Sequence, residues 1–403
     1  MPTLLHVNTT LNSGSTGRIA EQISLMAEAE GWNCYIAHGA RYVNKSQLKT
    51  IRIGSKLGNI FHAIEGEFFG LHGFGSTIAT YRFIRKVKLI KPDVIHLHNI
   101  HGYYLNIEAL FRYLAKANIP VVWTLHDCWS FTGHCTHFEN QGCYKWKTEC
   151  GDCPLLMAQY KSRIVDRSCK NFRIKKSLYA NVKNMTITPV SYWLGNLVKD
   201  SILKGHEIRV INNGIDLNVF KPTVNNIRQQ LGIPAEKKMI LGVVASGFNS
   251  EKGRMEFEAL SRLDDVQVVL VGLSKKERLG LSKKIICKSR TNSQQELAKY
   301  YSAADVFVNP TYNDTFPTTN IESLACGTPV VTYKTGGSPE IIDESTGLVV
   351  ERGDVVAMIE SIEIILHNGR RRYVDACRKR AEENFNKEEK FRDYIELYEK
   401  LVK

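Results

Sequence analysis

Short apolar runs alternate along this chain with longer stretches in which apolar residues recur every three or four positions. In the first half the runs are TLLHVN, NCYIAH, DVIHLH, PVVWTL, MTITPV and EIRVIN, separated by segments such as GRIAEQISLMAEAEG and IEALFRYLAKANI. The runs are too apolar for one-sided strands, so they predict a parallel sheet covered on both faces by helices. The second half repeats the plan with MILGVVAS, VQVVLVG, KIICKS, DVFVNP, PVVTY and GLVVE, between helices expected at about 252–262, 293–303, 318–326 and 354–367. The halves meet in NNGIDLNVFKP, residues 212–222, whose polar residues, Gly214 and Pro222 suit a connector. This predicts an α/β chain of two doubly wound, Rossmann-like domains, residues 1–214 and 215–385. The last stretch, 386–403, is read as a charged amphipathic helix packing back on the first domain. Open parallel sheets bind ligands beyond the carboxyl ends of their strands, so chemistry is expected in the strand-to-helix loops around a central cleft.

Composition narrows the class of partner. At 403 residues, 43% hydrophobic and 24% charged, the chain suits a two-domain globular enzyme, and no apolar run approaches the length that spans a bilayer. The start, MPTLLHVNTT, lacks a basic leader and a cleavage site. A cytoplasmic protein with reduced cysteines is therefore expected. A net charge of +13 points to an anionic partner: nucleic acid, a phosphorylated small molecule or an acidic membrane surface. The basic residues are spread along the chain without a Lys/Arg tail or aromatic-interleaved repeats, which argues against nucleic acid.

The densest chemistry lies in NPTYNDTFPTTNIESLACGTPVVTYKTGGSPEII, residues 309–342. Here a strand ends, a loop follows, and a helix begins near Thr318. Amides at the Thr318, Thr319 helix start have no intrahelical acceptors and face the positive end of the helix dipole, an arrangement suited to phosphate. Asp314 and Glu322 bracket that start with seven residues between them. An isolated pair of this kind could equally be a turn residue and a dipole-offsetting acid. The pair is not isolated, because A-C-G-T-P-V-V and G-G-x-P-E follow it and I-N-N-G-I-D precedes it at 211–216.

In this ordered set the chain resembles the retaining glycosyltransferases of family 4, which have the GT-B architecture, and the resemblance covers nearly the whole sequence. It implies that Glu322 binds the ribose hydroxyls of a nucleotide-sugar. Asp314, which stands where the family has a longer glutamate, would lie near the donor sugar. ILGVVASGFNSEKGR, 240–254, resembles the segment that delivers an arginine and a lysine to the donor diphosphate. Lys252 matches the lysine. Gly247 stands where many members have arginine, and Arg254 is a substitute candidate, although a cation at a helix start can also be a solvated surface residue. The glycine loop NSGSTGRIAE, 12–21, occupies the place of a family loop near the donor phosphates, with Gly17 allowing close approach and Arg18 supplying charge. His126 matches the family histidine that contacts the donor sugar. Asp127, His98 and His101 are placed on the acceptor side, with ordinary loop hydrogen bonding as the competing reading.

HDCWSFTGHCTHFENQGCYKWKTECGDCP, residues 126–154, then carries Cys135, Cys143, Cys150 and Cys153 in a C-x7-C-x6-C-x2-C pattern. Four thiolates at such spacing suit a structural zinc site, and free or packed thiols are the alternative. The expected activity is metal-independent, retaining transfer of a sugar from a UDP- or GDP-sugar to a glycan, polyprenyl-diphosphate-linked at the inner face of the plasma membrane, in bacterial cell-surface polysaccharide synthesis. Residues 55–76 could dip into that anionic surface, or pack as loop and helix on the first domain. Two other functions fit parts of the pattern: a sugar-nucleotide 2-epimerase of the same architecture, and a zinc-containing nucleic-acid binder.

Overall fold

The computed structural model describes residues 1–158, 160–244, 248–249 and 253–403. Thirteen strands form two wholly parallel sheets. The first contains β1 (Thr3–Asn8), β2 (Asn33–His38), β3 (Lys49–Arg52), β4 (Val94–Leu97), β5 (Val121–Leu125), β6 (Met185–Pro189) and β7 (Glu207–Ile208), in the order β3-β2-β1-β4-β5-β6-β7. The second contains β8 (Lys238–Val243), β9 (Val266–Val271), β10 (Ile286–Lys288), β11 (Val306–Asn309), β12 (Val330–Tyr333) and β13 (Gly347–Val350), in the order β10-β9-β8-β11-β12-β13. Every residue of β1, β4, β5 and β6 is buried, as continuous apolar runs covered by helices on both faces require.

Each sheet reverses its strand order once, between β1 and β4 in the first and between β8 and β11 in the second. Loops leaving the carboxyl ends of such a pair run to opposite faces and leave a crevice where ligands bind in open sheets. That rule selects the segments after Asn8, Leu97, Val243 and Asn309.

The chain divides into two compact units, 1–212 with 391–403, and 213–390. Ile215 pairs with Asn386, and Lys387 donates to Asp216 at 2.7 Å, so the first turn of the helix Lys387–Val402 stays with the second unit. From Phe391 onward its Phe391, Tyr394, Ile395, Leu397 and Tyr398 enter the core formed by Leu4, Ile19, Ile23, Trp32 and Ile36. One strand escapes the apolar-run reading: β3, KTIR, has a single buried residue and lies at the sheet edge, where little apolar patterning is needed.

Candidate active site

At the switch point of the first sheet, backbone and side chains interlock. The Asn8 amide donates to the Thr10 carbonyl at 3.0 Å, and its oxygen accepts the Asn99 N–H at 3.3 Å, tying the loop after β1 to the loop after β4. The helix Gly14–Ala29 follows, with no side-chain cap and no acid in its first turn. Gly17 is buried there because a Cβ would stand 2.6 Å from Thr10 Oγ1. Only glycine lets the loop close on the helix. Arg18 is half-buried beside it.

Side chains two apart on a strand share a face, and His6 and His96 are register partners on β1 and β4. Their alignment, continued by His98 and His126, gives a row of imidazoles with successive centroids 4.1–5.4 Å apart. His6 Nδ1 and His98 Nε2 lie 2.9 Å apart, and His98 Nδ1 and His126 Nε2 3.1 Å apart. His96 bonds the Tyr398 hydroxyl at 2.6 Å and Thr124 Oγ1 at 2.7 Å. Burial pushes His6 down to about 3. Burial likewise lowers His126 to about 4, against the pull of the neighbouring Asp127. His96 and His98 fall well below the usual value, again chiefly through burial. At neutral pH these rings are uncharged, and they relay hydrogen bonds from the sheet core to His126.

Beside the row, His101 Nε2 meets Asp127 Oδ2 at 2.7 Å and its Nδ1 meets the Tyr160 hydroxyl at 2.6 Å. Burial alone would raise the Asp127 carboxyl, but His101 and the Trp129 N–H, 2.9 Å from Oδ1, hold it at about 2. Asp127 is therefore ionised at neutral pH and accepts a hydrogen bond from His101. His98, His101, His126, Asp127, Trp129 and Ser130 all line one small cavity. Trp129 Nε1 and Ser130 Oγ are buried without a hydrogen-bond partner among the described residues.

In the second unit the loop after β11 carries Asp314, half-buried, whose Oδ1 accepts the Phe316 N–H at 3.2 Å. The G-G-x-P-E segment packs directly on this loop. A Cβ on Gly336, whose φ is +53°, would stand 1.7 Å from the Asp314 carbonyl oxygen, and the Gly337 N–H donates to the Thr315 carbonyl at 3.1 Å. The helix Thr318–Ala325 then starts behind Pro317, with no side-chain cap and no acid in the first turn, and with Thr318 and Thr319 half-buried. Glu322 is buried one turn in and accepts the Tyr301 hydroxyl at 3.0 Å. Lys252 and Gly247 lie outside the described residues. Arg254 donates to the carbonyls of Glu277 at 3.1 Å and Leu279 at 2.7 Å. Its two terminal nitrogens thus hold a loop within this unit.

Sequence reasoning missed three contributors. Asn8 and His6 looked like ordinary strand residues. Glu256, on the helix Arg254–Leu260, is buried and accepts the hydroxyls of Tyr312 and Tyr333, both at 2.9 Å, which ties that helix to the Asp314 loop. A signal for His6 was available, since H-x-H at 96–98 sits opposite a strand whose single histidine occupies the matching position.

Two doubly wound parallel sheets, each presenting its polar residues where the strand order reverses, make up the GT-B fold. Comparison with known proteins agrees: residues 52–219 match the family described as Glycosyltransferase Family 4, and residues 223–384 match Glycosyl transferases group 1. The chain belongs to these glycosyltransferases. It is 25% identical over 297 residues, 71% of this chain and 70% of the relative, to the Escherichia coli protein named "Putative colanic acid biosynthesis glycosyl transferase WcaC". It is 28% identical over 218 residues, 49% of this chain and 52% of the relative, to D-inositol 3-phosphate glycosyltransferase of Xylanimonas cellulosilytica. Among solved structures, sucrose-phosphate synthase from Thermosynechococcus elongatus superposes with a TM-score of 0.75 at 20% identity, over 100% of this chain and 99% of that one. Anabaena HepE in complex with UDP-glucose superposes at 0.64 and 16% identity, over 99% of each chain.

Proposed function

We propose that the protein is a retaining glycosyltransferase that moves a sugar from a nucleotide-diphosphate sugar to a lipid-linked glycan acceptor in bacterial cell-surface polysaccharide synthesis. The observation that carries the donor reading is the buried Glu322 carboxylate, one turn inside the uncapped helix at the second sheet's switch point. A carboxylate there can accept two ribose hydroxyls while the first-turn amides meet the diphosphate. HepE has been captured with UDP-glucose, which favours UDP over GDP as the base-bearing group. The name of the E. coli relative favours an exopolysaccharide product.

In this reading the bond from the anomeric carbon to the diphosphate breaks, a bond from that carbon to an acceptor hydroxyl forms, and the acceptor proton leaves with the diphosphate. Lys252, Arg18 and the amides of Thr318 and Thr319 offset the charge gathering on the leaving group, so the transfer itself needs no metal. Gly17 lets the loop before Arg18 close on the helix that carries it. Asp314 and His126 hold the sugar, and the cavity lined by His98, His101 and Asp127 receives acceptor hydroxyls, which would also satisfy Trp129 Nε1 and Ser130 Oγ. Arg254 acts as a brace for the donor loop.

The acceptor's lipid is supported by the surface of the first unit. Leu57, Ile60, Phe61, Ile64 and Phe68 form an exposed stripe on the helix Lys56–Phe69. A cavity of about 780 Å3 beside it includes Arg52, Arg82 and Lys86. Such a stripe suits peripheral binding, which we assign to the cytoplasmic face of the membrane, and among the described residues no helix is long and apolar enough to cross one.

A thermal-shift screen with UDP, GDP and their sugars tests the donor, and NMR of the anomeric proton in donor and product tests retention. Stabilisation by UDP-sugars is expected. Stabilisation by oligonucleotides alone, or inversion at the anomeric carbon, would sink the reading.

A further inference from the structure

We propose that Cys135, Cys143, Cys150 and Cys153 hold one structural zinc ion that anchors the long connector between β5 and the helix Ser168–Ala180. All four line one small cavity, none is in a disulfide, and each is partly exposed to solvent. The connector itself needs such an anchor. Between Leu125 and Ser168 the described residues form two single helical turns, Glu139–Gln141 and Lys145–Lys147, and add no strand to the sheet. Loops of this length without secondary structure are uncommon in compact domains unless something else ties them down. A cluster of Phe131, Phe138 and Trp146 supplies one tie beneath the thiols, and the metal would supply the other.

Three contacts are shaped as a thiolate site requires. The Gly133 N–H donates to Cys150 Sγ at 3.2 Å, a bond that favours a sulfur bearing negative charge. Lys145 donates to the carbonyls of Gly151 and Asp152, at 2.9 and 3.0 Å, and so pins the C-x-x-C turn from outside. Lys175 is the most informative. Its ammonium is buried, bonded to the carbonyls of Trp129 at 2.6 Å and Thr132 at 3.0 Å, and among the described residues it forms no ion pair with a carboxylate. The Trp129 ring, whose centroid lies 3.3 Å from the ammonium, and the ionised Asp127 offset part of the cost of burying it. Zinc with four thiolates carries two negative charges, which would add to that compensation.

The competing cluster fails on its hydrogen bonds. His6, His96 and His98 are the described residues whose ligand atoms all lie within 4.8 Å of one another. Every ring nitrogen of the three except His6 Nε2 already has a partner, which leaves no shell for an ion. No three of the four sulfurs lie within 4.8 Å of one another, whereas a tetrahedral shell with zinc–sulfur bonds of about 2.3 Å needs edges of roughly 3.8 Å, so binding would draw the loop inward and release the thiol protons.

The test uses the full chain, expressed with zinc and purified without chelator. Elemental analysis is expected to find one zinc per chain, and X-ray absorption at the zinc edge a shell of sulfur alone. A mercurial should release the zinc in step with four thiols. The C150S/C153S double variant should lose the metal, whereas C169S, outside the set, should keep it. Four thiols that react freely in the native protein with substoichiometric zinc would overturn the proposal. So would nitrogen in the shell, another metal at full occupancy, or a full equivalent of zinc retained by C150S/C153S. If the double variant fails to fold, absorption and thiol release on the unaltered protein still decide.

Discussion

Single side chains here act through burial more than through charge. Glu322 is the clearest case, because a carboxylate that is buried and bonded to Tyr301 has lost most of its water and gains most from a ligand's hydroxyls. Glu322→Gln keeps the shape and an acceptor for Tyr301 but removes the charge. Hydrogen bonds to a charged group contribute about 1.5–3 kcal/mol, so calorimetry should show UDP affinity falling roughly ten- to hundredfold with little change in melting temperature. Unchanged affinity would remove Glu322 from the donor site. The histidine row makes a second prediction. Rings held at about 3 for His6 and about 4 for His126 bind their proton less readily folded than unfolded. Above pH 6.5 both states are neutral and nothing is gained; between pH 6.5 and about 4 the unfolded chain takes up protons that the native one refuses, so stability falls as pH falls. Asp127, held at about 2, loses its contribution lower still, as pH drops from 3.8 through that value. Urea midpoints measured from pH 7.5 to 4.5 should therefore decline below 6.5, and His98→Gln, which cannot take up a proton, should flatten that decline. A midpoint independent of pH over this window would show that the buried rings exchange protons freely.

At the scale of elements, the motifs prove to be packing instructions as much as chemistry. Gly336 was readable from the sequence as part of G-G-x-P-E, but its reason is the Asp314 carbonyl 1.7 Å from any Cβ. Gly336→Ala must push that loop away or abandon its own φ of +53°. A loss of about 1–3 kcal/mol in chemical denaturation is expected, with sugar transfer falling more than UDP binding because Asp314 moves while Thr318–Ala325 does not. Equal stability and turnover would show that the loop accommodates the methyl. The same contrast explains what the sequence disclosed. Strands buried on both faces announce themselves by continuous apolar runs, and the switch-point loops follow from their order. Edge strand β3 has one buried residue and carries no such signal. Contacts such as Glu256 with Tyr312 and Tyr333, or His6 with His98, join residues 56 to 92 positions apart and arise only once the sheets form. Cysteine spacing suggested a metal at once, but the buried Lys175, bonded to the Trp129 and Thr132 carbonyls, shows only in the fold, since a sequence gives it as one more surface-type lysine.

For the whole molecule the net charge of +13 is the property that no single site accounts for. Charge of that size acts over about 8 Å at physiological salt, so it matters chiefly where the protein lies against an anionic surface. The first unit offers such a face: Leu57 and Phe61 are 69% and 67% exposed on the helix Lys56–Phe69, and Arg82, Arg85 and Lys86 are exposed on the helix Thr77–Ile90. Two terms should then add on a bilayer. Basic residues contribute about 1 kcal/mol each near an anionic surface, a part that salt removes, and the apolar stripe contributes a part that salt leaves. Sedimentation with vesicles containing anionic lipid should therefore show binding that weakens by roughly tenfold or more between low and high salt. Leu57→Ser with Phe61→Ser should weaken binding at both salt concentrations and leave transfer to a soluble acceptor analogue unchanged, since neither residue lines the cavity at His126. Binding that ignores the anionic lipid content, or a double variant that loses transfer to the soluble analogue, would contradict a lipid-facing role for this helix and return it to the interior economy of the first unit.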